Sequence, residues 1–426
     1  MTLSEAAEAV RNGRLRPSQL VAECLERIDR TDKRWRAWAH VDRPGALRDA
    51  ERLDRELDAG APPGPLQGIP IGVKDIIDVA GLPTRAGSPL RESHIAAEDA
   101  PVVARLRAAG AIVLGKTVTT QFACFDPPDT VNPHDASRTP GGSSSGSAVA
   151  VATQTCLAAL GSQTGGSIIR PASYCGVVGL KPSRARWSTS GVVPVSGLLD
   201  HVGPLAARVE DLFPIWRAVV GSPLTGPSSL PSAPRPQRFG LVRGFFQSAA
   251  DPRLLALVDV AVERLIDAGT TLESIDPPAE LDDVLAMHHR IMAKELADYH
   301  AGSFARHPDQ YAPGIATLIR EGLHISPADY QAAVRHRLEF IAVMERAFGQ
   351  GPEFWITPAT PTPAPGRETT GDPAFNTPWS YCGFPSISIP CGSLDGLPVA
   401  LQVIAATGQD EALLRVASDL ETQLQR

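Results

Sequence analysis

The sequence predicts an α/β fold, a β-sheet flanked by helices. Two observations carry that expectation. Short β-branched, apolar segments at 68–79 and 111–114 stand between amphipathic stretches with helical spacing, as in a sheet covered by helices. The chain has 426 residues, 43% apolar and 20% charged, enough to build one extended core and ordinary for a globular protein.

Taken in order, Ser18 is read as the N-cap of a helix over residues 19–28, where Leu20, Val21, Cys24, Leu25 and Ile28 form one stripe. A charged amphipathic helix follows at 43–57, and a buried strand at 69–79. Residues 101–109 read as a helix stopped by Gly110 and followed by a strand at 111–114. A Pro/Ser-rich stretch, 221–237, reads as a surface connection before a strand at 238–242. Residues 252–350 are mostly helical in pattern, with Leu254, Leu255, Leu257, Val258, Val262 and Leu265 spaced for one buried face. A Pro/Thr-rich loop at 357–371 leads to strands at 386–390 and 399–404, and a helix at 410–424 closes the chain.

The bulk numbers exclude several functions. A net charge of −7 without any Lys/Arg run argues against nucleic acid as a partner. The six cysteines are scattered, with no CxxC or Cys/His cluster, so neither a disulfide framework nor a metal site is expected. The first residues lack a signal-peptide apolar stretch, and no run is long enough to span a membrane, so a cytoplasmic protein is the expectation.

Three strings carry chemistry. The first is GGSSSGS at 141–147, followed by the small-residue run 148–152. Gly/Ser loops are often linkers, but a helix of Ala and Val can approach a sheet closely, and inward-facing N–H groups at its start would suit an anion. The second is QTGGSIIRP at 163–171, where glycines before Ser167 allow amides to converge on an oxyanion; a tight turn with an incidental serine is the alternative. The third is Lys74 within the apolar strand. It is ion-paired with Asp75 or Asp78, snorkels to the surface, or is held neutral by burial as a base.

Together these strings resemble the amidase-signature family. Ser143 and Ser167 lie 24 positions apart, the spacing that family uses, and further landmarks match: LQGIPIGVKD at 66–75, GKT at 115–117, Asn132-Pro133 and CGVVGLKP at 175–182. The resemblance covers nearly the whole chain and is most similar to malonamidase and related short bacterial amidases. It implies a Lys–cis-Ser–Ser triad of Lys74, Ser143 and Ser167, with a cis Gly142–Ser143 link and the N–H groups of Thr164, Gly165, Gly166 and Ser167 as the oxyanion hole. It implies hydrolysis of a small carboxamide to acid and ammonia, with no cofactor and no metal. The resemblance also implies that residues 1–426 form a single large α/β domain with a central mixed β-sheet flanked by helices on both faces, a catalytic core at about 66–210 and a helical region at about 252–350 that walls the substrate.

In malonamidase the residue matching Arg170 binds the substrate carboxylate, which points to an acid-bearing amide such as malonamate. A salt bridge from Arg170 to a neighbouring acid is the plainer alternative. Phe125 stands before Asp126-Pro127 where that group carries a basic residue, which speaks against malonamate itself. His288, Tyr299, Phe375, Trp379 and Tyr381 are candidates to line the funnel, each read equally well as ordinary packing. A Ser-His-Asp triad using one of the ten histidines, such as His40, His94, His134 or His201, lacks a GxSxG elbow. Two further readings are the glutaminase role of the A-type chain of an amidotransferase, which needs a partner chain, and a non-catalytic interaction protein. A homodimer is a further expectation.

Overall fold

The computed structural model describes residues 1–221, 237–277 and 281–425. Among these, eleven strands form one sheet: β1 (Trp38–Val41), β2 (Pro70–Lys74), β3 (Ile112–Thr117), β4 (Ala158–Gln163), β5 (Val178–Lys181), β6 (His201–Ala206), β7 (Arg238–Val242), β8 (Thr271–Ile275), β9 (Phe354–Pro358), β10 (Ser386–Leu394) and β11 (Leu397–Ala405). The strand order is β1-β3-β2-β4-β6-β5-β10-β11-β9-β7-β8. β2 runs parallel to both β3 and β4, and β7 runs parallel to β8 and β9, while the other pairs are antiparallel. The sheet is mixed, as the family resemblance implies.

Helices cover both faces, and the pleat shows why. Successive strand residues point to opposite sides. On β3, Ile112 and Leu114 pack into the core with Val21, Leu25 and Val149, whereas Val113 joins the other core with Val103 and Leu106. On β4, Ala159 belongs to the first core and Ala158 and Leu160 to the second. The central strands are buried on both sides, so they read as continuous apolar runs.

Several expected boundaries move. The first long helix is Pro17–Trp35 and begins one residue before Ser18, because Pro17 suits the first helical position and Arg16 takes the cap. The strand expected to reach residue 79 ends at Lys74, so this lysine sits at a strand end, not in a strand interior. Thr271–Ile275 is a strand inside the stretch read as helical; it is a sheet-edge strand with largely uncovered side chains, so its apolar alternation is weak. The expected Pro/Ser-rich connection lies outside the described residues except at its ends.

The Gly/Ser loop leads into the helix Ser145–Ala152, which is not a flexible linker. A Cβ built on Gly146 would lie 2.2 Å from the Ala37 carbonyl oxygen and 2.4 Å from the Val118 nitrogen. The helix start is thus pressed against backbone, and Gly146 N–H donates to the Val118 carbonyl at 2.9 Å. Gly146→Ala should therefore lower stability by about 1–3 kcal/mol, read as a shift of the urea midpoint at unchanged slope.

Candidate active site

Strand β2 delivers Lys74 to the centre of the parallel trio β3-β2-β4, and loops from neighbouring strand ends converge on it. Its side chain is fully buried. Nζ lies 2.7 Å from Ser143 Oγ, 2.8 Å from Ser162 Oγ and 3.5 Å from the Ser162 carbonyl oxygen. Neither expected acid is its ion partner: Asp75 pairs with Lys116 at 3.2 Å, and Asp78 lies 4.0 Å from His94. Burial brings the Lys74 pKa down from 10.5 to about 7, against an opposing through-space pull from Asp200.

The other serines of the Gly/Ser loop have separate tasks. Ser144 exchanges hydrogen bonds with the backbone of Ser162, Ser145 Oγ closes the loop onto the Gly141 carbonyl at 2.6 Å, and Ser147 Oγ donates to the Leu160 carbonyl at 2.9 Å. Ser143 alone turns to the lysine, and the Gly142–Ser143 peptide is cis.

Residues 164–168 form the turn between β4 and the helix Ile169–Cys175. Ser167 is partly exposed and shares a cavity of about 210 Å³ with Ser143, Thr164, Gly165, Gly166 and Arg170. Among the described residues, no hydrogen bond engages the Ser167 hydroxyl or the N–H groups of Gly165, Gly166 and Ser167. Those amides, rather than the start of the helix Ser145–Ala152, are the free donors beside the cavity. Gln163 Oε1 accepts from the N–H groups of Ile168 and Ile169 at 2.8 and 3.0 Å and so fixes the turn from below. A Cβ on Gly166 would lie 2.4 Å from Asn376 Oδ1, so a larger residue cannot stand there without displacing that side chain.

Arg170 does not form the salt bridge that was its plainer reading. The side chain is 5% exposed. Nη2 donates to the Gly142 carbonyl at 2.7 Å and to Thr370 Oγ1 at 3.3 Å, while Nε and Nη1 have no partner among the described residues. Burial lowers its pKa, and Tyr174 and then Asp372 pull the other way.

Of the five aromatic and imidazole candidates, only His288 lines this cavity; its Nε2 lies 2.9 Å from the Thr164 carbonyl oxygen. Burial holds its pKa at about 4, so the neutral ring donates to that carbonyl. Phe375, Trp379 and Tyr381 are packed in the core, and Tyr299 is exposed at the surface. No histidine among the described residues hydrogen-bonds Ser143 or Ser167, and His201 instead meets the Gln163 carbonyl at 3.3 Å. Phe125 is exposed and lines the cavity with Leu285, Met292 and Asp372.

The sequence did not point to Asp200, Glu295, Asp372 or Asn376. They are common residue types, far in sequence from the motifs. Gln163 was visible only as a neighbour of the TGGS turn.

A buried amine joined to a serine, with a second serine beside free backbone amides, is the site of a serine amidase, and the comparisons agree. The model of the amidase family matches residues 19–414, and the chain belongs to that family. It is similar to the A-type chain of the glutamyl-tRNA(Gln) amidotransferase of Koribacter versatilis (strain Ellin345), 31% identical with 100% of this chain and 98% of that one covered. Its counterpart in Salinispora arenicola (strain CNS-205) is 33% identical, covering 99% and 97%. Among solved structures, a vestigial protein complex connected with the origins of an s-triazine catabolic enzyme superposes with a TM-score of 0.91 at 31% identity, covering 100% and 98%. The native peptide amidase from Stenotrophomonas maltophilia superposes with a TM-score of 0.83 at 27% identity, covering 100% and 97%. The expected finer likeness to malonamidase gains no support here: these curated relatives are components of amidotransferases. No helix among the described residues is long and apolar enough to cross a membrane.

The Lys74 environment sets a pH dependence. The amine accepts a proton only when neutral, so kcat/KM should rise with pH and reach half its plateau near pH 7. In Ser162→Ala the ammonium loses an acceptor and the pKa falls further, so the rising limb of the pH–rate profile should move to lower pH.

Proposed function

We propose that this chain hydrolyses a small, carboxylate-bearing carboxamide through an acyl-enzyme on Ser167. Neutral Lys74 takes the proton of Ser143, Ser143 takes that of Ser167, and Ser167 Oγ attacks the amide carbon. The developing oxyanion is held by the N–H groups of Gly165, Gly166 and Ser167, with Thr164 completing the turn. The proton returns through Ser143 to the leaving nitrogen, and water then cleaves the ester. The hydrogen bond of 2.7 Å between Lys74 and Ser143, together with the free amides around Ser167, supports this route.

The observation that carries the substrate class is Arg170. A buried guanidinium on a cavity wall has two unpartnered nitrogen atoms and no carboxylate in contact, with Asp372 acting on it only through space. A substrate carboxylate in the cavity would supply a counter-charge at close range. The cavity of about 210 Å³ suits a short molecule.

A second reading deepens the same chemistry. Asp372 shares the cavity and acts on Arg170 through space, so a free α-amino acid with a side-chain carboxamide would offer its carboxylate to Arg170 and its ammonium to Asp372. Glutamine is such a molecule, and the curated relatives are named as components of a glutamyl-tRNA(Gln) amidotransferase. On this reading the chain releases ammonia from glutamine and works beside a partner chain.

Ser167→Ala should abolish ammonia release, and Lys74→Ala should lower kcat by several orders of magnitude; near-normal turnover in Lys74→Ala would exclude the proton route. Malonamate, glutamine and a neutral amide of similar size then separate the substrates. Arg170→Ala should lower kcat/KM for the acids by about 10²-fold or more and leave the neutral amide nearly unchanged. Asp372→Asn should affect glutamine alone. Equal losses on all three substrates would reject the carboxylate clamp.

A further inference from the structure

The turn that carries Thr164, Gly165 and Gly166 is held from outside by a chain of carboxylates. Thr164 Oγ1 donates to Asp200 Oδ1 at 2.6 Å. The other oxygen of Asp200 accepts from the N–H groups of Val195 and Ser196 at 2.9 and 3.0 Å. Ser196 Oγ donates in turn to Glu295 Oε2 at 2.5 Å, and Leu198 N–H reaches the same oxygen at 3.2 Å. Glu295 Oε1 accepts from the Tyr330 hydroxyl at 2.6 Å. One carboxylate thus joins the segment 195–200 to two long helices, Leu281–Arg306 and Pro327–Gln350.

The helix Leu281–Arg306 touches the turn a second time. His288 lies seven residues before Glu295, two helical turns back on the same face, and donates to the Thr164 carbonyl. Thr164 is therefore gripped at its carbonyl by His288 and at its hydroxyl by Asp200, and both grips lead to one helix. That helix also lines the cavity through Leu285 and Met292.

We infer that Glu295 is a positioning residue for the oxyanion-binding turn, acting through Ser196 and Asp200 on Thr164. It touches neither the cavity nor the reacting atoms; its effect is to hold the 195–200 segment, and with it the Asp200 carboxylate, at a fixed distance from the turn. Amides aimed at a developing charge lose rate steeply when they loosen, because their alignment must exist before the charge does. The inference rests on the amidase mechanism proposed above.

The test is Glu295→Gln, which keeps the size and can still accept from Tyr330. With its oxygen kept on Tyr330, its amide nitrogen, a donor only, accepts from neither Ser196 Oγ nor Leu198 N–H, so that arm of the clamp breaks. We expect kcat to fall about tenfold or more with KM within about twofold, since the turn is used more in the transition state than in substrate binding. Thr164→Val cuts the chain at its other end, and Thr164→Ser, which retains the hydroxyl, should restore most of the lost rate. In the double variant the Glu295→Gln loss should largely vanish, because the link it acts through is already gone. Losses that multiply in full, or a raised KM at unchanged kcat, would overturn the inference. Should Glu295→Gln fail to fold, Ser196→Ala removes a single donor and carries the same comparison with a smaller loss. If the wild type hydrolyses none of the amides, the proposed substrate class falls. The positioning role is then read from the rate at which a fluorophosphonate labels Ser167, where the same non-additive pattern is expected and full additivity would reject it.

Discussion

The site depends on one constraint: an amine is buried in the middle of the sheet with only neutral oxygen atoms as its partners. Taking an ammonium out of water costs on the order of several kcal/mol, and a carboxylate in contact would offset that cost while keeping the amine charged. The structure keeps carboxylates occupied elsewhere. Asp75 is engaged by Lys116, and Asp200 is engaged by Thr164 and two backbone amides, so its charge reaches Lys74 only through space. Burial wins, and the pKa settles near 7.

The Ser- and Gly-rich composition around this amine follows from the same constraint. Small hydroxyls satisfy buried backbone groups at close range, as those of Ser144, Ser145 and Ser147 do, while Ser143 from the loop and Ser162 from β4 face the lysine. Larger polar residues would not fit where the loop meets backbone at Gly146 or where Asn376 packs on Gly166. The result is a densely hydrogen-bonded floor beneath a small cavity, with Arg170 left as a cation whose partners are incomplete.

Much of this was legible in the sequence, because it is written in local strings. The alternation of helices and strands was readable from hydropathy patterning, whereas the mixed sheet and the meeting of Lys74, Ser143, Ser167 and Arg170 were expectations of the family resemblance that the short motifs carry. What was not legible depends on distant pairings. Asp200 and Glu295 have ordinary neighbours, and their roles exist only because Thr164 and Ser196 come to them in the fold. Aromatic residues show the opposite failure: Phe375, Trp379 and Tyr381 looked suited to a funnel but are core, since a large ring fills either role equally well in sequence. The edge strand Thr271–Ile275 escaped because mostly uncovered residues need not alternate in hydropathy. The finer family likeness also shifted, from malonamidase toward the amidotransferase components.

The strand order carries a consequence for how the chain is assembled. Six neighbouring strands, β1 to β6, come from residues before 207, and β9, β7 and β8 form the opposite flank. The hairpin β10–β11 is the seam between them, pairing with β5 on one side and β9 on the other. Of the eleven described strands it is the last pair in chain order. Without it β5 and β9 would each present a bare edge, and such edges invite pairing with other chains. The hairpin therefore acts as the closing stitch of the sheet, and it reaches the site as well: Gln402 on β11 accepts from Asn376, which packs against Gly166 of the turn before Ser167.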